Sequence, residues 1–245
     1  MHILIANDDG IQSPGLKILA DAVGRLGEVT VVAPDRNRSG ASHSITVERT
    51  LQATDYGQRW YGLDGTPADC IQVATRQILT SPPDLVVSGI NTGANMAEDL
   101  YYSGTVGAAR EAVLQGIPAL AVSLAGEAPW HFESAARFAV VLAGQWRGRL
   151  LPRHTFLNIN VPNGPIFAIK NPIVTRPGRR QRPPRVAGSP VAEASFWRPH
   201  PGLGNKRYME DVQAVAAGHV SVTPLHVEAF LDDAMEELAK WPTFL

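Results

Sequence analysis

The sequence predicts an α/β fold, a Rossmann-like and mostly parallel sheet with helices on both faces. Three observations predict it. Short β-rich runs alternate with helical patterns along the chain. The first run, Ile3-Leu4-Ile5-Ala6, is apolar at consecutive positions, as in a strand covered on both sides. At 245 residues, 44% of them hydrophobic, the chain is long enough to bury a large core as one domain.

The elements follow in order. A strand over His2–Ala6 leads to Ser13-Pro14-Gly15, a capping serine with proline at the first helical position, and a helix to about Leu26. Strands are predicted over Glu28–Ala33 and Arg59–Leu63. Thr66-Pro67 repeats the capping device and opens a helix through about Leu79, which Ser81-Pro82-Pro83 terminates. A strand over Asp84–Ser88 precedes a helix from about Val106 to Gln115, stopped by Gly116-Ile117-Pro118. A strand at Ala119–Ser123, a helix at about His131–Gln145 and a strand at Phe156–Val161 complete the pattern.

The pattern then breaks. From Pro162 to Gly204 proline, glycine and arginine dominate, and Arg176, Arg179, Arg180, Arg182 and Arg185 fall among three prolines. Such a segment is neither a central strand nor a helix. A protruding arm or hairpin is expected, then a short strand at His219–Val222 and a helix from about Val227 to Lys240. The chain is therefore expected to be one domain over residues 1–245, with a core at 1–165 and an arm, hairpin and helix at 166–245. An arm that cannot bury itself packs on a neighbouring subunit or stays solvated, and composition favours neither.

Composition narrows the function. A net charge of -1 provides no global field for nucleic acid or a membrane surface. No stretch approaches the roughly 20 apolar residues of a spanning helix, and the N-terminus lacks a secretory signal, so a cytoplasmic protein is expected. A single cysteine, Cys70, excludes an intrachain disulfide and thiolate metal clusters, and its place in an early helical turn reads as an inert buried thiol.

The polar residues gather at strand ends. Two carboxylates, Asp8 and Asp9, follow the first strand, and burying them there is costly without a cation, hydrogen bonds or a shared proton. In an open parallel sheet ligands bind beyond the carboxyl ends of the strands, at the point where strand order reverses. Asn7-Asp8-Asp9-Gly10, the Pro34–Gly40 segment with Ser39, and Gly89–Asn95 with Asn91 all lie on that rim. Their donors are oxygens, with no Cys and little His, which suits a hard ion, Mg²⁺ or Mn²⁺, with Ca²⁺ a further candidate and Zn²⁺ disfavoured. Adjacent residues share one ion only if the chain has left β geometry by Asp9, and Gly10 eases that turn. The bland alternative gives one Asp to a helix cap and the other to an Asx-turn. Tyr102-Ser103-Gly104-Thr105-Val106 leads hydroxyls and backbone N–H groups into a helix, a phosphate-binding arrangement. Of seven histidines, His43 lies close to Ser39 in sequence, where a surface role is the default. Walker-type, His-Glu-x-x-His and Gly-x-Ser-x-Gly motifs are absent from the sequence.

Assembled, these segments resemble the survival protein E (SurE) family. The resemblance rests on Asn7-Asp8-Asp9-Gly10, Ala33–Ser42, Gly65–Cys70, Asp84–Asn91, Tyr102–Val106, Asn158–Pro162 and Ser221–Leu225. It implies a Rossmann-like core with a C-terminal extension exchanged between subunits in homodimers or homotetramers. It also implies metal-dependent hydrolysis of nucleoside 5′- and 3′-monophosphates, with short polyphosphate a further substrate in some members. The family's metal ligands fall on Asp8, Asp9, Ser39 and Asn91, one Mg²⁺ or Mn²⁺ per subunit, and its phosphate contacts on Asn95, Ser103, Gly104 and Thr105. Ala97 stands where the family usually carries glycine. Two readings compete. A Rossmann-like deacetylase also carries Asp-Asp after the first strand, but with His before the pair, where Asn7 stands here. A non-catalytic nucleotide or polyphosphate module would use the arginine cluster.

Overall fold

The computed structural model describes residues 1–145, 151–179 and 207–228. Its elements are β1 (His2–Ala6), α1 (Pro14–Val23), β2 (Glu28–Pro34), β3 (Ala53–Asp55), β4 (Trp60–Leu63), α2 (Pro67–Val73) and β5 (Leu85–Thr92). Then follow α3 (Gly104–Leu114), β6 (Ala119–Ala125), α4 (Phe132–Gln145), β7 (Thr155–Pro162), β8 (Lys170–Val174), α5 (Asp211–Ala216) and β9 (His219–His226).

They form one nine-stranded sheet in the order β3-β4-β2-β1-β5-β6-β7-β9-β8. β4, β2, β1, β5, β6 and β7 run parallel, while β3 and β9 pair antiparallel to their neighbours β4 and β7. Both faces are covered, which explains the continuous apolar runs. Ile3 and Ile5 of β1 pack with Leu16 and Leu19 of α1 and Ala135 and Ala139 of α4. Leu4 and Ala6, pointing the other way, pack with Cys70 and Ile71 of α2 and Val106 and Ala109 of α3. Cys70 is buried, and burial pushes its thiol well up, as expected of an inert core residue.

The caps match the expected devices. Ser13 accepts from the Leu16 N–H at 3.2 Å, and Thr66 and Asp69 form a reciprocal capping box with Pro67 at the first helical position. Several boundaries move. The first helix ends as a regular helix at Val23 and continues as a 3₁₀ turn over Gly24–Leu26. The second passes into a π turn at Ala74–Ile78. α3 begins at Gly104, two residues before the expected start, because Ser103 caps it by accepting from Val106 N at 3.1 Å. β5 runs to Thr92, past the expected Ser88, after a register shift between Ser88 and Asn91.

Five elements were not expected: β3, β8, α5 and two 3₁₀ turns, over Ala97–Tyr101 and Ile166–Ala168. β8 contains Pro172 and lies at the sheet edge, the place in a sheet where a residue without an N–H is tolerated. The expected helix of Val227–Lys240 lies almost wholly outside the described residues, as do Arg180, Arg182 and Arg185. Among the described residues no helix is long and apolar enough to cross a membrane.

Candidate metal and phosphate site

Strand order reverses at β1. Its chain continues to β2 on one side, while β5 enters later on the other. The crevice beyond the carboxyl ends of β1 and β5 is therefore the place for a ligand, and Asp8, Asp9 and Asn91 all stand there.

Asn7 shapes the turn. Its side-chain oxygen accepts from Gly10 N at 3.1 Å, and its amide nitrogen donates to Gly10 O and Ser13 Oγ, each at 3.1 Å. Gly10 takes φ +103, and a β-carbon there would stand 2.9 Å from the Arg36 carbonyl carbon. The chain has thus left β geometry at the carboxylate pair. The Asx-type turn belongs to Asn7 and the helix cap to Ser13, so both tasks of the bland reading are performed by other residues. The carboxylates are left for something else.

Asp8 is buried. Its backbone carbonyl accepts from Arg38 N at 2.7 Å, tying the Ser39 segment to the end of β1. Its carboxylate accepts from the Thr105 hydroxyl. Burial pushes its carboxyl up, while that hydroxyl and the N–H groups of Thr105 and Gly104 pull it back. Asp9 is half-buried. Burial raises its carboxyl too, and the neighbouring Asp8 charge adds to the rise. Its only partner among the described residues is Thr92, whose N–H and hydroxyl each donate at 3.3 Å. These bonds are long, and Asp9 retains acceptor capacity.

Asn91 donates its amide N–H to Gly93 O at 2.9 Å. That bond turns the side-chain oxygen away, and this oxygen accepts no hydrogen bond within the described residues. Ser39 is exposed, its N–H held by Asn37 Oδ1 at 2.8 Å and its hydroxyl without a partner in the same residues. Asp8, Asp9 and Asn91 are thus brought together at the ends of adjoining strands, and Ser39 joins them through its neighbour Arg38. Among the described residues no group of three or more His, Cys, Asp or Glu is placed to hold a metal. The donor set is instead two raised carboxylates, an amide oxygen and a hydroxyl, and it fits a hard cation completed by water.

Asn95 is fixed by an amide network that sequence reasoning missed. Asn95 N donates to Asn160 Oδ1 at 2.8 Å, and its carbonyl accepts from Asn158 and Asn160 at 2.8 and 3.0 Å. Its side chain donates to Ser123 Oγ at 2.9 Å. Asn158 and Asn160 lie two apart on β7, so their side chains share a face, a signal visible in the spacing. Ser103, Gly104 and Thr105 meet the site at the start of α3. The Thr105 hydroxyl sits on Asp8, Ser103 caps its own helix and gives its N–H to Asp99 O at 3.1 Å, and the N–H groups of Gly104 and Thr105 face the Asp8 carboxylate.

His43 lies outside this set. Its ring pairs with Glu111 of α3 at 3.0 Å, and the hydroxyl of Ser42 donates to Tyr101 O at 2.5 Å, so this segment is clamped onto the start of α3. Glu111 is held below the usual carboxylate range, burial opposed by bonds from His43 and Gln115.

A survival protein SurE family model matches residues 3–183. The chain belongs to the SurE family. It is 45% identical to 5′-nucleotidase SurE of Pelobacter propionicus, across 98% of this chain and 99% of that one. With 5′-nucleotidase SurE of Legionella pneumophila it shares 44% identity across 93% and 92% of the two chains. The crystal structure of SurE from Aquifex aeolicus superposes with a TM-score of 0.86 at 39% identity, covering 98% of each chain.

Within this SurE chain the departure at Ala97 has a physical consequence. Ala97 is buried and holds φ +52, the left-handed region in which a β-carbon costs energy. Asp211 helps hold it there, accepting from Ala97 N at 3.1 Å and from Gly178 N at 2.8 Å. Ala97→Gly is therefore expected to raise stability by about 0.5–1 kcal/mol, read as a higher urea midpoint at unchanged slope. A lower midpoint would refute the strain.

Proposed function

We propose that this chain hydrolyses nucleoside 5′-monophosphates, and their 3′ isomers, to nucleoside and phosphate, with short-chain polyphosphate as a further substrate. The relatives named 5′-nucleotidase SurE support the reaction class. The observation that carries the reading is the carboxylate pair at the strand-order reversal, freed from structural duty by Asn7 and Ser13 and facing the N-terminus of α3.

In this reading Asp8, Asp9, Ser39 and Asn91 hold one Mg²⁺ or Mn²⁺ per subunit. When bound, such an ion supplies positive charge against the phosphate oxygens and makes water more acidic. The chain's own residues do the rest. Asp8, anchored by Thr105 and by its backbone bond to Arg38, is the fixed member of the pair. Asp9, held among the described residues only by long bonds to Thr92, is the carboxylate with capacity to take the proton of the attacking water. Ser103, Gly104 and Thr105 at the start of α3, with Asn95, contact the phosphate oxygens and orient them. Apart from β8 and β9, which pair within this chain, the C-terminal extension exchanges between subunits of a homodimer or homotetramer, and the protein works in the cytoplasm.

The test is phosphate release from AMP, GMP and their 3′ isomers with Mg²⁺, Mn²⁺ or EDTA. Release that EDTA abolishes and either ion restores is expected. Metal at about 100 times its Kd should also stabilise the fold by about 2.7 kcal/mol. Release unaffected by EDTA would defeat the metal, and no release with any metal would defeat the reaction.

A further inference from the structure

A second concave site lies apart from the carboxylate pair. It is a cavity of about 400 Å³ between the Ala97–Tyr101 turn, α3, the start of the arm and the end of β9, and neither Asp8, Asp9, Ser39 nor Asn91 lines it. That volume falls within the range of small-molecule pockets.

Its charges are unbalanced. Arg110 projects from α3 and is half-buried, yet it makes no hydrogen bond and no ion pair within the described residues. Partial burial of a guanidinium costs energy unless an anion accompanies it. Burial lowers the affinity of Arg110 for its proton, and among the described residues Tyr101 acts on it in the opposite sense. Arg179 lines the same cavity and likewise has no partner among the described residues. Arg176, the third guanidinium, is already matched by Glu210 at 2.7 Å. The carboxylate on the lining, Glu98, has a partner of its own. Leu100 and Leu225 supply an apolar wall.

We propose that this cavity binds a small phosphate-bearing anion, with Arg110 and Arg179 as its principal contacts. Guanidinium forks match phosphate oxygens in geometry and charge, and the apolar wall accepts a nucleoside body where the anion carries one. The cavity's Ala97–Tyr101 wall is the segment that joins Asn95 to Ser103, so an occupant abuts the phosphate loop of the first site without entering it.

The experiment uses the full chain as Asp9→Asn in EDTA, which removes turnover and metal-held phosphate. Inorganic pyrophosphate and ADP are titrated calorimetrically. Saturable binding to one site per chain is expected, weakened about tenfold or more by Arg110→Gln and also by Arg179→Gln, with each variant's melting temperature checked. Arg179 stands on a separate segment of the chain, so its variant tests the site even if Arg110→Gln misfolds. ADP binding tighter than pyrophosphate assigns a nucleotide as occupant, and equal affinity assigns a bare phosphate chain. No saturable binding at millimolar ligand, or unchanged affinity in both variants, overturns the site. Metal-dependent phosphate release by the natural chain is measured in parallel, so failure of the nucleotidase reading is seen separately.

Discussion

Asp9→Asn is expected to lower phosphate release from AMP by about 10²–10⁴-fold, the range for loss of a positioned general base, while the metal-free protein melts at or above the natural temperature. The two halves of this result have one cause. Asn keeps the shape of Asp9 and can still meet Thr92, but it takes no proton and carries no charge toward a cation. Burial and the neighbouring Asp8 both raise the Asp9 carboxyl in the native state. A carboxyl whose pKa is raised on folding binds its proton more tightly in the native than in the unfolded chain. Its charge therefore destabilises the native state once pH exceeds the ordinary value of 3.8, with the full penalty above the raised value and none in acid. The stability advantage of Asp9→Asn should grow as pH rises from about 4 toward neutrality. Mg²⁺ or Mn²⁺ should reverse the order by stabilising the natural protein more. Melting curves across pH, with and without metal, beside the phosphate assay, test both halves. Natural turnover in the variant, or a lower metal-free melting temperature at neutral pH, would break the argument.

This trade of stability for function also explains which parts of the molecule were legible in its sequence. The first strand and its two-sided burial are written in Ile3-Leu4-Ile5-Ala6, because every position faces one of two cores. The helix starts are legible where Ser-Pro and Thr-Pro cap them, since capping is local chemistry. The carboxylate pair is legible through its convergence with the Ser39 and Asn91 loops on one rim, since alone it would serve a helix cap and an Asx-turn equally well. What escaped depends on tertiary contact. β8 is exposed at four of five positions and has no apolar alternation, and pairing with β9 makes it a strand. α5 spans six residues, too few for a periodic signal. Asn7 enters the sequence reading within Asn7–Gly10, with no role of its own, and in the fold it braces the turn that frees the pair. Asp211 is invisible in sequence because its partners Ala97 and Gly178 are far away along the chain.

Gly104→Ala should damage the site although it removes no functional group. A β-carbon at Gly104 would stand 2.8 Å from Asp8 Cβ, 3.1 Å from Asp8 Oδ2 and 3.0 Å from Pro67 Cγ. The first distance is shorter than nonbonded carbons tolerate, and both neighbouring residues are buried. α3 must retreat or Asp8 must turn, and either breaks the contact between the Asp8 carboxylate and the Thr105 hydroxyl. Alanine is the better helix former, so intrinsic propensity alone predicts a gain of up to about 1 kcal/mol. Overpacking is expected to win, with a net loss of about 1–3 kcal/mol and a fall in turnover of about 10–100-fold from displacement of the carboxylate. Gly144 of α4 provides the control. There the nearest atom to an added β-carbon would be 3.8 Å away, and Gly144→Ala should stabilise the fold and leave turnover unchanged. Comparing the two alanine variants by urea denaturation and phosphate release separates backbone propensity from packing on Asp8. If Gly104→Ala matches Gly144→Ala in both measurements, the close approach of α3 to Asp8 is not what positions the carboxylate.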